Sequence, residues 1–515
     1  MKYNDYGKVT ARGELGARCA LLSARLESPI YRPDVIFSIE QGGWPGDWEG
    51  RTILALTAQA QVTRREPSYL DEIVSLLPSH LNEKGYLGPV YENRLNEQQL
   101  SGHSWLLRGL CEYYLYRKYG FVLSLIDGIV RGLFLPAVGK YASYPLDPDE
   151  RKGGDMSGHT LASDGDWIIS TDTGCAYIPL DGLTQAYSVL KEYLPDKERD
   201  AALSSLLDEM ISEFIRIPFV EIKMQTHATL SGLRGLIRRY EQTKSEDLLY
   251  EAKRVFGLYE AHGMTPTYAN KNWFDRPEWT EPCAIIDSFM VCSKLFAYTD
   301  EARYAELSQL ILYNGIYHAQ RNNGGFGCDT CCEDGVLSTH CYEAYWCCTM
   351  RGGEGLAAAA AYAVTTDGII IDPISCDTYV NGRKLKIISD YPHGKTVKII
   401  YEGGGRLYLF VPSWTVGVKC EYISGCDEHY VYIDAPDSVQ FTVTINSMIW
   451  DDGRRVYDGP LLLASDTQIK LTDRFDVTKK DGKYKAKEKE LKTLDKTYLL
   501  SSEETAKEEL FITLI

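Results

Sequence analysis

The sequence has no stretch of about 18 or more consecutive apolar residues, so no segment is expected to span a bilayer. Met1 to Arg12 is polar and has no apolar h-region, so no secretory leader is expected and the cytoplasm is the expected location. Positive charge is scarce: 55 Lys and Arg stand against 72 Asp and Glu, a net charge of −17 over 515 residues. A chain this acidic is a poor partner for nucleic acid, which is held by neutralising phosphates, and for an anionic membrane surface. No repeat of fixed period stands out, which counts against an open solenoid. What remains is ordinary for a globular protein, 44% hydrophobic and 25% charged, which excludes disorder of the whole chain. The length allows about three domains.

Cysteine is not scarce. There are 14, and without a leader the expected compartment is reducing, where a disulfide framework is improbable. Cys19 and Cys111 fall on apolar helical faces and read as core packing. Cys328, Cys331, Cys332, Cys341, Cys347 and Cys348 crowd into one short stretch, which is a chemical signal.

The residues up to 366 read as helices. Leu15, Cys19, Leu22 and Leu26 recur at helical spacing, and similar patterns follow at 49–63, 68–79, 99–119, 122–138, 181–193, 197–215, 226–243, 245–261, 283–298, 301–319 and 349–363. Short links make sequential helices antiparallel, and six such hairpins can close into an (α/α)6 barrel. After Thr366 the pattern changes to short β-rich runs at 369–371, 397–401, 406–411, 429–433 and 439–445, separated by Gly and Asp turns. The expected fold is therefore mainly α: a barrel over 1–366, a small antiparallel β-sandwich over 367–470, and a hairpin or tail over 471–515. The eight lysines from Lys479 to Lys496 read as solvated. The segment from Tyr141 to Gly174, with His159 and Trp167, lacks apolar periodicity and reads as a long loop.

Two stretches carry candidate chemistry. Trp279-Thr-Glu281-Pro-Cys283 places a carboxylate and a thiol two apart where a helix begins. Tyr345-Trp-Cys347-Cys348 places two adjacent thiols before another helix. Zinc takes about four ligands from thiolate, imidazole or carboxylate, so Glu281, Cys283, Cys347 and Cys348 could hold one ion. Glu-x-Cys is no standard zinc spacing, however. Cys328-x-x-Cys331 with Cys332 or Cys341 is a rival zinc knuckle, and inert buried thiols are a third reading.

Several further motifs stand in a particular order: Trp48-Glu-Gly-Arg51, Lys84-Gly-Tyr-Leu87, Glu97-Gln-Gln-Leu-Ser-Gly-His103, Thr226-His227-Ala, Glu281-Pro-Cys283-Ala, Leu312-Tyr-Asn-Gly315, Cys347-Cys348, Val411-Pro-Ser-Trp414 and Asp458-Gly-Pro460. Together they resemble glycoside hydrolase family 127, the β-L-arabinofuranosidase family. The resemblance implies an (α/α)6 barrel followed by β-sandwich material. It implies zinc on Glu281, Cys283, Cys347 and Cys348, with Cys347 as a zinc-bound thiolate nucleophile in a retaining hydrolysis. It points to His103 and His227 for the sugar hydroxyls, against a bland role in bridging helices, and to Trp48, with residues near Tyr268 and Trp273, for the wall of the pocket. Expected partners are a small oligosaccharide or glycoside, with no nucleic acid and no membrane; a homodimer is allowed. One departure stands out. The family's acid/base Glu should fall at Thr265 to Tyr268, where there is no carboxyl group, and the nearest are Asp275 and Glu278. Two alternatives stay open: a different sugar-processing enzyme on this scaffold, and a catalytically silent carbohydrate-binding protein with a structural zinc.

Overall fold

The computed structural model describes residues 1–38, 44–147, 160–338, 343–496 and 509–515. His159 and Cys341 lie outside the described residues.

Among the described residues, twelve helices form the body: α1 (Gly13–Leu26), α2 (Asp47–Thr63), α3 (Leu70–Leu76), α4 (Glu97–Arg117), α5 (Gly120–Ile129), α6 (Pro179–Tyr193), α7 (Lys197–Phe214), α8 (Thr226–Thr243), α9 (Glu246–His262), α10 (Pro282–Thr299), α11 (Ala302–Leu310) and α12 (Cys348–Tyr362). The even-numbered helices pack each on the next, and α12 packs back on α2, so they close a ring with the odd-numbered helices outside. This is the expected (α/α)6 barrel. The inner helices are buried on nearly every side and have weak amphipathicity, as α2 and α4 show. Close approach of these two depends on Gly50: a Cβ there would lie 2.1 Å from the Leu106 nitrogen.

The span 122–138, expected as one helix, runs as α5, a π turn over Val130–Phe134 and a 3-10 turn over Leu135–Ala137. The expectation that nothing is apolar enough to cross a membrane needs correcting here. Gly120–Ala137 is long and apolar enough by composition; it packs in part against α4 and α6. Asp127 and Arg131 interrupt its apolar character, which is why counting consecutive apolar residues missed it.

The centre of the barrel is charged. Arg108, Arg234 and Arg351 meet Asp181, Asp287 and Glu354, and all six are buried. Arg234 donates to Asp287 Oδ1 at 2.6 Å and to Glu354 Oε1 at 2.8 Å, and Arg351 donates to Asp287 Oδ1 at 2.5 Å. Burial alone would raise the Glu354 pKa, but the three guanidiniums outweigh it and hold the carboxyl well below its usual range. Charges buried this deeply persist only when paired.

Beyond the barrel, a six-stranded sheet takes Thr10–Ala11, Cys376–Val380, Arg383–Ser389, Thr396–Tyr401, Phe441–Ser447 and Thr415–Lys419. A second, four-stranded sheet takes Ile423–Cys426, Tyr430–Ala435, Gly405–Phe410 and Ile369–Ile370, and its last pairing is parallel. A further sheet pairs Leu461–Ala464 with Lys489–Thr493, so residues on both sides of position 470 share it. The lysine-rich stretch does form a hairpin, Val477–Lys480 with Lys483–Ala486, and that hairpin joins this sheet. In the segment expected as a loop, Thr160–Asp164 and Trp167–Ser170 are paired strands, and Trp167 is fully buried.

Asp372 lies where the chain leaves the barrel for the sheets. Burial pushes its carboxyl up to about 7, against the opposing pull of the Tyr313 hydroxyl, which donates to it at 3.0 Å. The folded pKa therefore exceeds the unfolded one of about 3.9. Its stabilising contribution is complete below pH of about 4 and is lost as pH rises through about 7, a swing of roughly 4 kcal/mol by linkage. Asp372→Asn keeps the acceptor oxygen and removes the titration. Its stability relative to wild type is expected to improve from pH 5 to pH 8 in chemical denaturation; a constant offset across that range would contradict the assignment.

Candidate metal centre

The amino-terminal ends of the inner helices converge at one mouth of the barrel. Glu281 caps α10, Cys283 lies in its first turn, Cys347 caps α12 and Cys348 opens it. The structure brings these four together from positions far apart in sequence: one ligand atom from each lies within 4.8 Å of all the others. Cys283 Sγ and Cys348 Sγ are 3.6 Å apart, and Cys347 Sγ and Cys348 Sγ are 3.3 Å apart. In a tetrahedron with Zn–S bonds of about 2.3 Å, sulfur atoms stand about 3.8 Å apart. The spacing is thus close to that of a thiolate-rich tetrahedral site. Glu281 Oε2 is buried and has no hydrogen-bond partner among the described residues, as expected of a ligand oxygen. The donor set suits a borderline-soft divalent ion.

Burial pushes the Cys283 and Cys348 thiols well up. At Cys347 the bond from Cys283 pulls down, but the bond to Cys348 and burial outweigh it. Without metal, three neutral thiols fill the space. A bound cation inverts that preference, because a coordinating thiol is deprotonated outright.

The exposures of the four differ. Cys283 and Cys348 are fully buried, whereas Glu281 and Cys347 are half-buried. The less buried side of the cluster therefore carries Glu281 and Cys347. Next to it Trp346 is 45% exposed, and its ring stands edge-on to Tyr345 at 5.0 Å. Trp48 lies 5.9 Å from the Tyr345 ring, which places it near this opening as a largely buried wall residue.

His227 sits directly at the cluster. Its Nδ1 is 3.2 Å from Glu281 Oε1, its Nε2 is 3.5 Å from Asp287 Oδ2, and its ring stacks on Trp105. His103 does something else. The Leu87 amide donates to its Nε2 at 2.9 Å, and its Nδ1 meets the Gln99 carbonyl at 2.8 Å. Burial pulls its pKa down to about 4, so it is neutral, with Nδ1 protonated. The expectation that His103 meets a sugar hydroxyl finds no ring nitrogen free: this histidine ties the turn before Leu87 to α4. Of the other residues expected at the wall, Trp273 is buried and donates to Asp172 at 3.1 Å, and the Tyr268 hydroxyl is turned to Tyr457, 3.1 Å away, in the third sheet.

Asp275 and Glu278 are surface groups, paired with His262 and Arg276. The carboxyl group that does approach the cluster is Asp47, which no motif pointed to. Both its oxygens accept from Arg51 Nε at 2.9 Å, and Arg51 Nη1 reaches Cys283 Sγ at 3.4 Å. Burial raises the Asp47 pKa more than Arg51 and His227 lower it. Arg51 places a positive charge beside the thiol cluster, where it would stabilise a thiolate.

The rival knuckle does not form among the described residues. Cys331 Sγ contacts the Asn270 carbonyl oxygen at 3.6 Å and Cys332 Sγ contacts Thr267 Oγ1 at 3.7 Å, and these thiols hold the loop that precedes α10.

No protein-family model and no curated protein matches the sequence. Solved structures do match. A GH127 β-arabinofuranosidase superposes with TM-score 0.67 at 11% identity, covering 100% of this chain and 97% of that one. A structure described as a glycoside hydrolase gives 0.64 at 12% identity, with 100% and 97% coverage. A GH127 β-L-arabinofuranosidase from Geobacillus stearothermophilus T6 gives 0.62 at 14% identity, with 89% and 86% coverage. The chain thus has a GH127-like fold along its whole length.

Proposed function

We propose that this protein is a zinc-dependent retaining glycoside hydrolase acting on β-L-arabinofuranosides, with Cys347 as its nucleophile. One observation carries the reading: in a barrel of this fold, the cluster of one glutamate and three cysteines leaves Cys347 alone of its three cysteines partly exposed. A zinc ion held by Glu281, Cys283, Cys347 and Cys348 would keep the thiols ionised at neutral pH.

The other steps belong to the chain's own groups. The Cys347 sulfur attacks the anomeric carbon, and the bond from that carbon to the leaving oxygen breaks. The leaving oxygen takes up a proton from solvent; water then attacks the anomeric carbon, the carbon–sulfur bond breaks to return the thiolate, and the water's proton goes to solvent, so two inversions give net retention. His227 holds Glu281, and Arg51 reaches the thiol cluster at Cys283. The aromatic faces of Trp346, Tyr345 and Trp48 suit the C–H surface of a furanose ring. Reduced thiols are a condition of the site, which fits a cytoplasmic protein.

The test is turnover of aryl pentofuranosides and hexosides by zinc-loaded protein. The highest kcat/KM is expected on the β-L-arabinofuranoside, with the anomeric configuration retained by NMR. Sugar binding in calorimetry with no turnover of any member would replace this reading with that of a binding protein whose four-ligand metal is structural.

A further inference from the structure

A cavity of about 860 Å³ lies away from the thiol cluster, at the opposite mouth of the barrel, where the inner helices end. Its floor is electrically balanced. Arg108, Arg234 and Arg238 line it, and they are answered by Asp181, Glu354 and Glu112. Its rim is not balanced. Lys2, Lys8, Lys118, Lys244 and Lys294 stand there against Asp5 and Glu241, in a protein that is strongly acidic overall. Lys294 is answered by Glu241 at 2.9 Å. Lys118 and Lys244 make no ion pair among the described residues.

These two lysines are held in a similar way. Lys118 follows α4, and its ammonium lies 5.0 Å from the Tyr114 ring centre and 4.4 Å from that of Tyr193. Lys244 follows α8, and its ammonium lies 5.3 Å from the Tyr240 ring centre and 5.8 Å from that of Tyr298. Seating on an aromatic pair orients an ammonium without neutralising it. The competing explanation is that cations at helix carboxyl ends only offset the helix dipoles. It accounts for a lysine at each helix end, but not for a roomy cavity between them lined by tyrosines and closed below by a neutral floor.

We propose that this cavity is a second ligand site, which takes a sugar-sized molecule bearing at least two anionic groups that bridge Lys118 and Lys244. The shared chemistry is a polyanion on a polar ring body. Its source is either a phosphorylated sugar or an acidic oligosaccharide. The site is separated from the thiol cluster by the buried charged layer of Arg351, Asp287 and Glu354, so the proposal does not depend on the hydrolase reading.

The test is isothermal titration of the whole, metal-loaded protein with fructose 1,6-bisphosphate, digalacturonate and neutral fructose, at 50 mM and 500 mM NaCl. The expected result is saturable binding of one anionic probe with 1:1 stoichiometry, weakened by salt, and no binding of fructose. The probe that binds identifies the source. The double variant Lys118→Ala/Lys244→Ala is expected to weaken binding at least tenfold while leaving metal content and aryl-glycoside turnover unchanged. Neither anionic probe binding at millimolar concentration would overturn the proposal, as would equal affinity in the variant. If the lysines serve only the helix ends, the variant loses thermal stability and neither probe binds.

Discussion

Cys283→Ala is expected to strip the metal and lower the thermal midpoint by several degrees. The reason lies in where this thiol sits. It is fully buried in the first turn of α10, and its sulfur stands 3.6 Å from that of Cys348 on α12. One ion at this point ties two inner helices that are adjacent in the ring. At a thousandfold excess of metal over its Kd, binding stabilises the folded chain by about 4 kcal/mol. Treating wild type with a chelator should reproduce most of the loss. Cys111→Ala, a buried core thiol on α4, should keep the metal. The pH dependence has a definite sign. The metal-free thiols have raised pKa values, so binding expels protons and metal affinity rises with pH. Metal per chain by mass spectrometry and the melting curve check both halves. Undiminished metal content in Cys283→Ala, or metal loss with unchanged stability, would contradict the account.

Cys347→Ala is expected to reduce kcat by a factor on the order of 10³ or more, since nucleophile and positioned partners act as a unit. Loss of activity alone proves little, because Cys347 is also a ligand. Exposure separates the two roles. Cys347 is half-buried, so water can take its place beside three remaining ligands, the usual number in a catalytic zinc site. Cys348 is fully buried and offers no such replacement. Cys347→Ala should therefore keep its metal and lose turnover, whereas Cys348→Ala should lose both. Equal metal loss in the two variants would remove the distinction on which the assignment rests.

Much of the barrel was legible because its helices advertise themselves twice, by apolar spacing and by short polar links. Thr226–Thr243 and Lys197–Phe214 match the expected spans to within a residue. The sheets were less legible. Thr415–Lys419 and Ile423–Cys426 are short and largely exposed edge strands, so they lack the alternation that marks a half-buried strand. Trp167 was read into a loop because its strand is only four residues long and its ring is covered by Tyr141 and Tyr144, whose spacing shows no periodicity. The four ligands were readable as residue types, but their meeting was not, since Glu-x-Cys and Cys-Cys each have an inert reading. Asp287 left no signal because His227 becomes its neighbour only through helix packing; Asp47 and Arg51 are four apart on α2, but packing alone brings that pair to Cys283. The bridging role of His103, one of its two readings, left no signal because its partners are backbone groups, which every sequence has.

The central claim, that Cys347 is the attacking atom, is tested most directly by a covalent label. Zinc-loaded protein would be treated with an arabinofuranose-shaped epoxide or haloacetamide, digested, and mapped by peptide mass spectrometry, with metal content measured on the same sample. The account predicts a single adduct on Cys347, with the metal retained and turnover lost in proportion to labelling. An adduct on Asp47, Asp275 or Glu278 would point to a carboxylate mechanism, and one on Cys331 or Cys332 to a different centre; either would contradict it.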